Sequence, residues 1–157
     1  MKIRSLRHSE PPPRNLLLLA DPSIEFIEDY LNRGETYIAE LNGAVVGVYI
    51  LLATRPGTCE IVNIAVSEKY QGEGIGRKLL QHAIELAIQG GNRTLEIGTG
   101  NSSIGQLALY QKCGFRITGV DRDFFVRHYK EDIHENGVHC RDMIRLSMDL
   151  QRQASND

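Results

Sequence analysis

The chain has 157 residues, 41% hydrophobic and 24% charged, proportions that exclude wholesale disorder, a collagen-like repeat and a disulfide scaffold. Its length suits one core, so a single domain over residues 1–157 is expected, with Gln151 to Asp157 a polar tail that frays. Eighteen Lys and Arg against twenty Asp and Glu give a formal net charge of -2, which offers no electrostatic footprint for nucleic acid.

Lys2 to Leu6 reads as a strand, and Pro11, Pro12 and Pro13 as a spacer or a helix entrance, since proline fits only the first turn of a helix. Asn15 to Ala20 has the length of one or two helical turns and stops at Asp21-Pro22. A clearer helix follows. Ser23 is its N-cap, Glu25 and Glu28 suit its N-terminal end, Ile24, Ile27 and Leu31 share a face, and Gly34 ends it. The period then falls to two. Glu35 to Leu41, Ala44 to Ala53 and Cys59 to Val66 are rich in Val, Ile and Tyr, and Asn42-Gly43 and Pro56-Gly57 separate them, so an antiparallel meander is expected.

Beyond a glycine-rich stretch, Gln71 to Gly76, a helix carries Ile75, Leu79, Leu80 and Ala83 on one face and ends at Gly90-Gly91. Thr94 to Ile97 is a short buried strand, Ser102 or Ser103 caps a helix running through Cys113, and Phe115 to Val120 is another strand. Asp121 to Asn136, charged and aromatic, reads as an ordered loop or short helix, and Met143 to Met148 as the last strand. The apolar runs Leu16 to Ala20 and Val45 to Ala53 fall short of the ~20 residues needed to cross a bilayer. No leader pattern follows Met1, so a cytoplasmic protein without membrane association is expected. Cys59, Cys113 and Cys140 are odd in number and lack C-x-x-C spacing, which fits packed, reduced thiols. His134, His139 and Cys140 lack a suitably spaced fourth ligand, so no metal is expected.

The chemistry concentrates where a strand ending Ile64-Ala65-Val66 feeds Gln71-Gly72-Glu73-Gly74-Ile75-Gly76-Arg77. Glycines let backbone approach a ligand, and the orphan amides of the next helix, aided by its dipole, suit a phosphate. Lys78 is followed by Leu79, so the Ser or Thr of a Walker loop is missing. Gly72, Gly74 and Gly76 give G-x-G-x-G where a dinucleotide fingerprint needs G-x-G-x-x-G.

Gln71-x-x-Gly74-x-Gly76 directly after that strand resembles the acyl-CoA pyrophosphate motif of the GNAT superfamily of N-acetyltransferases. Downstream, Asn101 and then Ala108-Leu109-Tyr110-Gln111-Lys112-Cys113-Gly114-Phe115 are similar to that superfamily's second cofactor segment. The resemblance spans roughly Glu60 to Phe115. It implies an α/β (α+β) fold whose central sheet, mixed but mostly antiparallel, is splayed at the cofactor site and flanked by helices. It further implies transfer of an acetyl group from acetyl-CoA to a primary amine, small-molecule or peptide, by direct attack in a ternary complex. Main-chain groups of Ile64, Ala65 and Val66 would receive the pantetheine arm, and amides from Gly72 to Arg77 the pyrophosphate. Asn101 would bridge to the pantetheine or to the Tyr110 helix.

By the same resemblance Tyr110 is the general acid for the departing thiolate, its alternative being an aromatic packing residue. Glu60 is either the general base or a carboxylate that binds a cationic substrate. Its period-2 partners are Val62, Ile64 and Val66, and a desolvated cleft on that face would raise its pKa. Asp121, Asp123 and Asp142 are further acidic candidates for attracting a protonated acceptor. A non-catalytic acyl-CoA sensor is the alternative to an enzyme, and homodimer formation stays open.

Overall fold

The computed structural model describes residues 1–150, so Gln151 to Asp157 lie outside the described residues. β1, Lys2–Ser5, pairs antiparallel with β2, Glu35–Leu41, and the segment between them forms two helices. Pro13 occupies the N-cap of α1, Arg14–Ala20, so the proline triplet is a helix entrance. In α2, Ile24–Arg33, the Ser23 hydroxyl accepts from the Phe26 amide at 3.2 Å and Gly34 ends the helix, both as the sequence predicts. β3, Ala44–Arg55, and β4, Thr58–Val66, complete the meander. Asn42 and Gly43 both take positive φ, 52° and 80°, the geometry of a tight turn that matches strand twist.

The sheet buries both faces. Leu17 of α1 and Ile27 of α2 pack on Ile38, Val48, Ile50 and Ala65. On the opposite face α3, Ile75–Gln89, sets Ile75, Leu79, Leu80 and Ala83 against Tyr49, Ile61 and Leu95. Each such aliphatic side chain contributes ~1.5–3 kcal/mol on burial. β5, Thr94–Gly100, runs parallel to β4, and α4, Ile104–Lys112, follows it on the α3 face. β6, Arg116–Asp121, is the far edge of the sheet, because β9, Met143–Asp149, inserts between β5 and β6. The resulting seven-stranded order is β1-β2-β3-β4-β5-β9-β6, antiparallel except for β4 and β5. No helix among the described residues is long and apolar enough to cross a membrane.

Two features depart from the sequence reading. The stretch from 121 to 136 contains a short helix α5, Phe124–His128, but then half of a β-hairpin, β7 Ile133–Glu135 with β8 Val138–Cys140. Within β4 the alternation breaks: Ile50 pairs with Asn63 while Leu51 pairs with Ile61, so Val62 is an extra, bulged residue.

Candidate active site

The parallel pairing of β4 with β5 covers only Thr58–Ile61 against Thr94–Ile97. Beyond it the strands part, and a cleft of about 470 Å³ opens between Val62–Val66 on one side and Gly98–Gly100 on the other. The α1–α2 link and the aromatic rings of Phe124, Phe125 and Tyr129 wall one end of it. With no β5 partner past Ile61, that edge of β4 offers main-chain groups to an extended ligand.

At the other end lies the glycine loop. Gly72 and Gly74 both adopt φ of 84°, a conformation that disfavours any side chain, and Gly74 is the N-cap of α3 without a side-chain cap. The first intrahelical bond there is from the Lys78 amide to the Gly74 carbonyl, 3.1 Å. The amides of Ile75, Gly76 and Arg77 therefore have no helical partner, and no acidic residue occupies the first turn to compete for the dipole. Donors free, dipole uncompensated and Cβ atoms absent fit a diphosphate well. The side chains of Glu73 and Arg77 point into solvent, and the Gln71 amide donates to the Val66 carbonyl at 3.1 Å, tying the loop to the end of β4.

Tyr110 reaches the cleft from the α3–α4 face. It is 4% exposed, its ring lies 6.2 Å from that of Phe115, and burial pushes its hydroxyl pKa upward, with no hydrogen-bond partner among the described residues. Glu60 enters from the opposite face. Cys59 and Ile61 point to the α3 core, so Glu60 points to the α1–α2 side, where it raises the Tyr30 hydroxyl pKa. Because of the bulge, Glu60 shares its face with Val62, Asn63 and Ala65; Ile64 and Val66 belong to the α3 side, which corrects the simple alternation expected from the sequence. Burial raises the Glu60 carboxyl pKa, Glu96 adds to the rise, and Arg145 and Arg55 oppose it.

Asn101 makes no hydrogen bond to the Tyr110 helix among the described residues. Its side-chain amide donates to the His139 carbonyl at 3.1 Å, and its side-chain carbonyl accepts from the Arg141 and Asp142 amides at 2.8 and 2.9 Å. Both lone pairs of that carbonyl are thus spent on anchoring the 139–142 segment to the end of β5. Ser103 is the N-cap of α4 by position, yet its hydroxyl and that of Ser102 both turn to Glu135, so neither caps by its side chain. The close approach of β8 depends on Gly100, where an added Cβ would meet the Cys140 sulfur at 2.5 Å.

The acidic candidates disperse. Asp121 pairs with Arg127 and Arg145, Asp123 with Arg141, and Asp142 accepts from the Asp123 amide, all away from the cleft. Two lining carboxylates escape the sequence reading, Glu135 and, more deeply set, Asp21. Read as a helix stop before Pro22, Asp21 lines the cleft and accepts from the Ser23 amide at 3.0 Å and the Tyr129 hydroxyl at 2.7 Å. Burial raises its pKa against those two hydrogen bonds.

This architecture, a parallel pair opening beside a glycine-led helix, has counterparts among known proteins. A family model described as Acetyltransferase (GNAT) family matches residues 3–115. The chain belongs to the GNAT acetyltransferase family. Membership makes it an acyl-CoA-dependent N-acetyltransferase with the mixed, mostly antiparallel sheet that the motifs imply. It is 61% identical over 136 residues, 87% of this chain and 88% of the other, to the uncharacterized N-acetyltransferase YvbK of Bacillus subtilis (strain 168). A crystal structure of a GNAT family acetyltransferase from Elizabethkingia anophelis with acetyl-CoA bound superposes with a TM-score of 0.93 at 50% identity, covering 94% of this chain and 97% of that one. A Bacillus subtilis acetyltransferase in complex with CoA matches with a TM-score of 0.90 at 56% identity, over 94% and 97% of the two chains.

Proposed function

We propose that the protein transfers the acetyl group of acetyl-CoA to a primary amine by direct attack, with both substrates held in the β4–β5 cleft. The observation that carries this reading is the pair Tyr110 and Glu60, which line the same opening from opposite faces of the sheet. The amides at the start of α3 hold the diphosphate, and the unpaired edge of Val62–Val66 hydrogen-bonds the pantetheine arm. The thioester supplies an electrophilic carbonyl carbon in the gap.

Glu60, its carboxylate made more basic by burial, accepts the proton that the amine must lose to become a nucleophile. The amine nitrogen forms its new bond to the acetyl carbon as the carbon–sulfur bond breaks. Tyr110, a phenol protonated at neutral pH, donates its hydroxyl proton to the departing sulfur, and the surplus proton on the newly acylated nitrogen restores the phenol. No acyl-enzyme is required, and burial raises the pKa of the Cys140 thiol, which lines the cleft, making it a poorer nucleophile. The test is CoA thiol release across a panel of amines: amine-dependent release supports transfer, whereas CoA binding without release with any amine supports a sensor.

A further inference from the structure

We propose that the acceptor is a polycation, an amine carrying a second ammonium group besides the one acetylated, and that Asp21 binds this second charge. The proposal rests on the acetyl-transfer reading and names its substrate class.

The charge balance of the cleft is one-sided. Asp21, Glu60 and Glu135 line it, and among the described residues no Lys, Arg or His does; Arg145, 6.0 Å from the Phe124 ring centroid, and Arg55 act on Glu60 from outside the lining, and neither is a cause of the Asp21 shift. Glu135 is engaged by the Ser102 and Ser103 hydroxyls. Asp21 uses one oxygen, Oδ1, for both of its hydrogen bonds, which leaves Oδ2 open. Carboxylates withdrawn from water without a cation are costly, and a cationic ligand removes that cost.

Asn63 gives an independent sign of a donor-rich ligand. It lines the same cleft on the Glu60 side of the bulge, is 4% exposed, and donates from Nδ2 to the Leu17 carbonyl at 3.1 Å. That bond fixes the amide orientation and leaves Oδ1 buried with no partner among the described residues. A buried acceptor without a donor is expensive, and an ammonium group brings three donors and no acceptor. Tyr30 and Tyr129 add aromatic surface, which favours cations further. Burial raises the Tyr30 hydroxyl pKa, and the fields of Asp21 and Glu60 add to the rise.

The test compares butanediamine with butylamine as acceptors. The parent should favour the diamine in kcat/KM by about tenfold or more. Asp21→Asn should erase the preference by raising KM for the diamine, with kcat and the butylamine constants nearly unchanged. Asp21→Glu, which keeps the carboxylate, should retain it, and loss of the preference in that variant would overturn the proposal. Equal kcat/KM for the two amines in the parent, or an equal effect of Asp21→Asn on both, would also overturn it while leaving acetyl transfer intact. Calorimetry of butanediamine binding to the CoA-loaded protein separates the remaining cases. Binding lost in Asp21→Asn but without turnover would keep the cation subsite and overturn the transfer reading; neither binding nor turnover would overturn both.

Discussion

Glu60 faces Glu96 across the parallel pair of β4 and β5, one register position before the two strands separate. Arg55 neutralises Glu96 through a 3.2 Å contact, but Glu60 has no hydrogen bond of its own among the described residues and bears the cost of burial. A carboxylate in this position is primed to take a proton. The acid limb of kcat/KM should therefore lie above the ordinary glutamate range. Glu60→Gln should flatten that limb and lower kcat/KM by ~10²–10⁴-fold; an unchanged pH–rate profile would remove Glu60 from the mechanism.

Glu96→Gln should move the same limb to lower pH. It removes a charge that raises the Glu60 pKa and releases Arg55, which lowers it, so both changes act in one direction. A pH–rate profile of this variant beside the parent checks the sign.

Stability should respond to Glu60 in the opposite sense to activity. A carboxyl whose pKa rises on folding contributes stability that is full below its unfolded value and lost as pH climbs through its folded one. Glu60→Gln should melt a few degrees above the parent at pH 7, with the difference vanishing near pH ~4. Thermal melts at the two pH values decide it.

Tyr110→Phe keeps the ring that packs beside Phe115 and removes a hydroxyl with no hydrogen-bond partner among the described residues. Turnover should fall ~10²-fold or more, while CoA affinity and melting temperature stay close to the parent's. Kinetics and a CoA titration on one preparation test both halves.

Gly74→Glu should abolish CoA binding. The left-handed φ of 84° resists any side chain, and a carboxylate at the helix entrance would repel the diphosphate. A circular dichroism spectrum like the parent's, together with loss of the CoA titration signal, is the expected result.

Asn101→Ala should release the 139–142 segment by deleting three hydrogen bonds, at ~1–3 kcal/mol of stability. Since Phe124 and Phe125 of α5 and Cys140 of β8 line the cleft, KM for the amine should rise while CoA affinity holds. A chemical denaturation curve and steady-state kinetics measure the two effects.

Much of this was legible in the sequence because local chemistry and tertiary demand agree there. Asn42-Gly43 turns the hairpin, Ser23 and Gly34 bound α2, and Gly74 opens α3. Asn136-Gly137 carried the same hairpin signal, with φ of 54° and 73°, but the charged aromatic run before it obscured a strand of three residues. The bulge at Val62 had no such marker. It arises from the fit between β3 and β4, and no glycine or proline announces it, so the face assigned to Ile64 and Val66 was wrong for a reason local patterning does not contain. Asp21 was hidden differently, since its hydroxyl partner Tyr129 lies 108 positions along the chain.

A crystal structure of the protein with CoA tests the central claim most directly. The account predicts diphosphate oxygens within ~3 Å of the amides at the start of α3, the pantetheine arm along the free edge of Val62–Val66, and the sulfur in hydrogen-bonding reach of the Tyr110 hydroxyl. A sulfur lying outside the β4–β5 opening, with Tyr110 and Glu60 both remote from it, would contradict the account.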